Sequence, residues 1–154
     1  MEVDAMRVDT ILPAASKRLV TVAEAAPLAD VARLLLDRRA DIVVVCDADK
    51  KMVGVISKTD VVRRIGHFRE SESTTAASTV MTRTVVSCRP DDLLHDVWTM
   101  MKDRKLRNLP VLDQYSRPIG MLNARDLLEA LLDEVEHEET LLRDYVMNIG
   151  NPRL

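Results

Sequence analysis

The heptapeptide Gly54-Val55-Ile56-Ser57-Lys58-Thr59-Asp60 recurs 66 residues later as Gly120-Met121-Leu122-Asn123-Ala124-Arg125-Asp126. A chain that carries one short unit twice is constrained to fold one supersecondary unit twice. At this spacing the register holds without a gap from about Leu19 to Asp60. It pairs Val20 with Val86, Leu28 with Leu94, Asp30 with Asp96, Arg38 with Arg104, and Asp47 with Asp113. Upstream, Ile11-Leu12 matches Val80-Met81 at a spacing of 69, so the first copy carries about three extra residues, within Pro13 to Arg18.

In the first copy, Leu28, Val31, Ala32, Leu35 and Leu36 repeat with the i, i+3, i+4, i+7 spacing of one buried helical stripe, which predicts a helix over about Ala25 to Arg39. Thr21 to Glu24 has capping-box spacing ahead of it, and Pro27 moves the first turn toward Ala26. The β-branched run Ile42 to Cys46, the polar turn Asp47 to Lys50 and the run Met52 to Ile56 read as a hairpin. A short helix from Lys58 to about Ile65 then meets Gly66, a left-handed cap. The second copy repeats the plan with Leu94, Val97, Trp98 and Met101 on the helix, and Leu109 to Leu112 and Pro118 to Leu122 as strands. Pro110 and Pro118 favour short or edge positions.

His67 to Thr79, rich in Ser, Thr and Glu, reads as a mobile linker. After Asp126, Leu128, Val135, Leu142 and Ile149 recur every seven residues, with Leu131, Leu132, Tyr145 and Val146 beside them, until Gly150 and Pro152 end the pattern. Such a helix either packs back on its own unit or meets its twin in a dimer, with acidic Asp133 to Glu139 keeping the outer face soluble.

No apolar run approaches the roughly 20 residues of a membrane span, and Met1 to Leu12 does not resemble a secretory signal. A cytoplasmic location is expected, with no membrane partner. A formal net charge of −3 argues against a nucleic-acid surface. Cys46 and Cys88 read as buried thiols, although Cys88 lies where a helix dipole would lower a thiol pKa. His67, His95 and His137 are scattered, so no metal site is expected. No phosphate loop and no nucleophile with a base is visible, so catalysis is not expected.

Gly54 and Gly120 leave out a side chain where a ligand would approach the backbone, and the helix start that follows offers unpaired N–H groups to anionic oxygen. Asp60 and Asp126 are each able to accept two hydrogen bonds from the adjacent hydroxyls of a ribose. Val55 and Met121, with Ala40, Ile42 and Leu106 from the opposite unit, would sandwich a base. The same spacing also fits a capping box in which Ser57 and Asp60 only satisfy the first groups of a helix.

A helix, a hairpin whose second strand opens with a glycine, and a Ser/Thr-x-x-Asp helix start, all present twice, resemble a tandem pair of cystathionine-β-synthase (CBS) domains over roughly Val8 to Leu132. The resemblance implies an α/β (α+β) fold: two pseudo-twofold β-α-β-β-α units packed sheet to sheet with ligand clefts between them, plus a long C-terminal helix. Its boundaries would be 8–66 for the first unit, 67–79 for the linker, 80–132 for the second unit and 133–154 for the helical extension. It implies a stand-alone module that binds AMP, ADP, ATP, NAD(H) or S-adenosylmethionine, senses energy state and regulates a partner protein, with a homodimer expected. A ligand-free dimerisation module acting through the C-terminal helix is the alternative.

Matched to the family pattern, the first copy keeps the hydroxyls Ser57 and Thr59, whereas the second has Asn123 and Arg125. Asp41 stands where the second copy has Arg107, and would repel phosphate. The cleft of Asp126, with Arg107 and Arg125, is therefore expected to hold the phosphorylated part of a nucleotide; because each cleft is expected to draw on both units, Arg107 is also a candidate for the first one. The cleft of Asp60 is expected to take a less charged adenosyl ligand.

Overall fold

Each copy buries one stripe of a helix against one face of a hairpin. The computed structural model describes residues 6–66 and 73–149. In the first unit, helix α2 (Leu28–Arg38) directs Leu28, Val31 and Leu35 onto Val43, Val45 and Ile56 of strands β2 (Ile42–Cys46) and β3 (Met52–Ser57). In the second, α5 (Leu94–Arg104) packs Leu94, Val97 and Met101 on Leu109, Val111 and Leu122 of β4 (Asn108–Leu112) and β5 (Pro118–Asn123). Helices α3 (Lys58–Gly66) and α6 (Ala124–Ile149) leave the ends of the two hairpins. Leu36, expected on the buried stripe, is 73% exposed. The Thr21-to-Glu24 segment is not a cap: Thr21–Ala23 is strand β1, parallel to β2, and Pro27 occupies the N-cap of α2. Strand pairing there competes with helix start, since an extended backbone satisfies its groups on β2 instead.

The hairpin turns are copies of each other. Asp47 Oδ1 accepts the N–H groups of Asp49 and Lys51, and Asp113 Oδ1 accepts those of Tyr115 and Arg117. These backbone bonds hold the Asp113 carboxyl below its ordinary pKa. Both hairpins carry an irregularity at the equivalent step, Val45/Cys46 and Val111/Leu112. The turns also meet across the pseudo-twofold: Met52 N–H donates to Ser116 O at 3.0 Å, and Arg117 Nε donates to Asp49 O at 3.0 Å. Between the sheets lies a small apolar layer of Val44, Cys46, Val55 and Met121.

The segment leading into each unit packs on the other unit. Val8 and Ala15, from a 3-10 turn (Val8–Ile11) and helix α1 (Leu12–Arg18), are buried in the second unit's core. Ala77 and Met81, at helix α4 (Ala77–Val80), are buried in the first unit's core. The backbone repeats the exchange, with Arg7 bridging Leu93 and Ala76 bridging Pro27. The three extra residues of the first copy thus fall in α1. The reading of His67 to Thr79 as a mobile linker needs correction at its end: Leu28 N–H donates to Thr75 O and Ala77 N–H to Ala26 O. His67 to Glu72 lie outside the described residues.

This exchange also corrects the reading of the two glycines. Gly54 faces Met81 and Thr82, and Gly120 faces Ala15 and Leu12, so each makes room for the opposite lead-in segment and not for a ligand.

Helix α6 is continuous through the boundary expected at 132/133. Among the described residues its apolar packing on the core reaches Ala130 and Leu131, and residues 135–147 are exposed, Leu142 by 64% and Tyr145 by 62%. Gly150 and Pro152 lie outside the described residues, as does the side chain of Ile149. Among the described residues no helix is long and apolar enough to cross a membrane.

Candidate functional site

A cavity of about 240 Å³ opens between the units. Ala40, Asp41 and Ile42 reach it from the start of β2, and Asn108, Met121 and Asn123 from β4 and β5. Lys17 and Arg18 at the end of α1, and Arg38 and Arg39 at the end of α2, give it four cations. Arg39 holds a left-handed conformation, with φ of 51°, and its N–H donates to Leu36 O. This turn ends α2 and lets Ala40 and Asp41 turn into the cavity mouth.

Asp126 joins this cavity through Arg18. The Arg18 guanidinium forks onto the carboxylate, Nε at 2.5 Å from Oδ2 and Nη2 at 3.0 Å from Oδ1. This hydrogen bond raises the Arg18 pKa above its ordinary value. Asn123 takes over the capping role, its Oδ1 accepting the Arg125 N–H at 3.0 Å.

Asp60 behaves differently. Its Oδ2 accepts the Ser57 N–H at 3.0 Å while Ser57 Oγ accepts the Asp60 N–H at 3.0 Å, the reciprocal capping box. Asp60 also borders an open depression of about 360 Å³ with Arg63, Arg64, Thr79 and Val80. Thr59 is exposed, and Val55 lies in the layer between the sheets.

Of the residues named from the sequence, the structure brings Ala40, Ile42, Met121 and Asn123 into one cavity, with Asp126 attached through Arg18. It does not bring the expected cations there. Arg125 turns to Glu129 at 3.7 Å, an i,i+4 pair on the exposed side of α6. Arg107 does not line the cavity; its carbonyl accepts the Ala124 N–H at 2.8 Å and anchors the start of α6. Leu106 packs against the second unit's core. Asp41, assigned by its position to the cleft of Asp60, lines the cavity on the Asp126 side, where Lys58 Nζ lies 3.6 Å from it. The physical reason is that a cleft between the units takes its β2 edge from the opposite copy.

Sequence reasoning missed Lys17, Arg18, Arg38 and Arg39. Two signals point to them: the extra residues ending at Arg18, and the basic pairs Arg38-Arg39 and Arg104-Lys105 at equivalent positions. Cys88 is not at a helix start. It bridges Val111, and burial pushes its thiol up to about 12, the opposite of the dipole effect.

Two copies of one helix-and-hairpin unit with a cation-lined cavity between them define a paired-repeat module. The chain belongs to the CBS domain family, whose model matches residues 8–67 and 77–133. It is 28% identical to the uncharacterized protein MJ1426 of Methanocaldococcus jannaschii over 75% of this chain and 88% of that protein. It also matches homoserine O-acetyltransferases of methanogens; it spans 21% of the length of the one from Methanohalobium evestigatum. Among solved structures, the CBS domain pair of protein MJ0100, in complex with 5'-methylthioadenosine and S-adenosyl-L-methionine, has a TM-score of 0.70 at 21% identity, covering 84% of this chain and 98% of that one. CBSX2 in complex with AMP has a TM-score of 0.69 at 22% identity, covering 82% and 96%. The fold is that of CBS domain pairs.

Proposed function

We propose that this chain is a regulatory module that binds an adenine nucleotide in the cavity between its units, with AMP, ADP, ATP or an NAD species as the ligand class, and passes its occupancy to a partner protein. The observation that carries the reading is the composition of the cavity wall: four cations, Lys17, Arg18, Arg38 and Arg39, against one carboxylate, Asp41, which Lys58 faces at 3.6 Å, beside the apolar Ala40, Ile42 and Met121. Cations suit phosphate and the apolar patch suits a base. Asp126 would accept a ribose diol. The adenosine-type ligands of the two solved CBS pairs support the same class. Asp60, Ser57 and Thr59 would serve a second, less charged adenosyl ligand, as S-adenosylmethionine is. Regulation then follows if the ligand has different affinity for two arrangements of the units.

The test is calorimetric titration of AMP, ATP, NADH and S-adenosylmethionine into wild type, Asp126→Ala and Asp60→Ala. Loss of about tenfold or more in nucleotide affinity is expected for Asp126→Ala, the scale of charge-assisted hydrogen bonds. Unchanged affinity removes the assignment. A ligand at 100 times its dissociation constant also adds about 2.7 kcal/mol of stability, readable as a thermal shift.

A second reading, self-association through α6, is favoured by its apolar stripe: Val135, Leu142, Tyr145 and Val146 are each more than half exposed. A homodimer whose α6 helices pair would bury them. Removing residues 134–154 is expected to halve the mass measured by light scattering; an unchanged mass eliminates the helix as the dimer contact.

A further inference from the structure

Arg18 is where the two kinds of ligand chemistry in the cavity meet. It is one of the four cations that suit a phosphate, and its guanidinium faces both oxygens of the carboxylate assigned to the ribose. The other copy is built differently. Asp60 turns back to cap its own helix. The contact exists because the extra residues of the first copy lengthen α1, which packs along β5 through Ala15 and carries Arg18 to the start of α6.

We propose that Arg18 is a phosphate-released latch that sets ligand specificity: it closes Asp126 to nucleosides without a phosphate and yields it to nucleotides. The inference rests on the nucleotide reading of this cavity. A ribose diol must donate to the same two oxygens that Arg18 holds. A neutral nucleoside offers the guanidinium nothing in return, so its binding carries the cost of a charge-assisted bidentate pair. A phosphate entering among Lys17, Arg18, Arg38 and Arg39 offers a second acceptor edge, matched to the guanidinium fork. Arg18 then moves from carboxylate to phosphate, and Asp126 is left for the ribose. The pair is suited to being opened. The side chains of Arg18 and Asp126 are 46% and 23% exposed, and water screening keeps such a pair weak enough for a ligand to break.

The experiment titrates adenosine and AMP into the full chain carrying Arg18, Arg18→Ala or Arg18→Lys. Each is made in an Asp60→Ala background, so that one cleft alone keeps its carboxylate. With Arg18 present, AMP is expected to bind tighter than adenosine. In Arg18→Ala, adenosine is expected to bind roughly twofold to fivefold tighter than before while AMP weakens by a similar factor, the scale of one partly exposed ion pair. Arg18→Lys, which keeps the charge but not the fork, is expected to fall between the two. A variant that only disturbs the fold weakens both ligands together, and thermal unfolding identifies it. Unchanged adenosine affinity in Arg18→Ala, or an equal loss for both ligands in both variants, overturns the latch while leaving nucleotide binding intact. If neither ligand binds any of the three proteins, the nucleotide reading and the latch fall together.

Discussion

Gly54→Ala is expected to destabilise the protein by about 1–3 kcal/mol, the usual cost of forcing atoms into a filled space, and to lower Tm by roughly 3–10 °C in a chain of this size. An added Cβ would sit 2.6 Å from Met81 Sδ, 2.8 Å from Met81 Cγ and 2.8 Å from the Thr82 carbonyl oxygen. Met81 is flexible and will move. The Thr82 carbonyl is not free to do so, because it accepts the Val55 N–H at 3.0 Å while Thr82 N–H donates to Val55 O at 2.9 Å. The clash therefore loads the bridge that fixes the second unit's lead-in to the first unit's sheet. Gly54 does not have a positive φ, so the effect comes from packing. Loss of unfolded-chain entropy in Gly54→Ala works the other way by about 0.4–1 kcal/mol and does not cancel it. At Gly120 the nearest atoms are Ala15 Cβ at 2.9 Å, with Ala15 C and Leu12 Cδ1 at 3.2 Å. Each of these approaches is longer than the 2.8 Å to the Thr82 carbonyl oxygen at Gly54, so Gly120→Ala is expected to cost less than Gly54→Ala. Urea unfolding of both variants decides the matter, and a Gly54→Ala midpoint at or above that of wild type refutes the argument.

The hairpins, both helical stripes and the long last helix are legible in the sequence because local periodicity and turn chemistry determine them. Val43, Val45 and Ile56 alternate onto one face, and Asp47 and Asp113 fix both turns with the same pair of hydrogen bonds. What periodicity does not carry is which unit a segment serves. Thr21–Ala23 and Val8–Ile11 are too short for a pattern, and their partners lie on β2 and beside Leu93 and Leu94, far along the chain. For the same reason the glycines are legible as places of close approach but not as places approached by Met81 and Ala15.

The candidate site divides along the same line. Ala40, Ile42, Met121 and Asn123 are legible because they sit on or beside strands whose register the repeat fixes. The cations are misassigned when charge is read within each unit, because the cavity mixes units. Asp41 and Arg107 occupy equivalent positions, so the crossing of copies exchanges which carboxylate each one serves. Arg125 carries charge near Asp126 in sequence, yet one residue of helical rotation directs it to Glu129 and solvent. Arg18 lies 108 residues from Asp126, and only the packing of α1 on β5 brings the two together.

Val8→Asp is expected to produce the larger loss, at least about 4 kcal/mol, because it places a carboxylate with no partner among apolar side chains. Val8 is fully buried, and its surroundings are the second unit's core, including Leu94, Val97 and Leu127. The backbone on either side is tied to the same unit: Val8 N–H donates to Asp92 O at 3.0 Å, Asp9 N–H to Pro90 O at 2.9 Å, and Leu94 N–H to Met6 O at 2.9 Å. The introduced carboxyl will either remain charged at a large cost or take up a proton, and in both cases the turn must leave the core or the core must open. Amide exchange should therefore lose protection first in α5, β4 and β5, residues 94–123, and later in β2 and β3, although those strands are nearer to position 8 in the chain. Val8→Ile keeps the apolar character and should hold protection in both units. If the first unit's strands lose protection before the second's, the lead-in segment belongs energetically to its sequence neighbours and the exchange between units is not what holds the pair together.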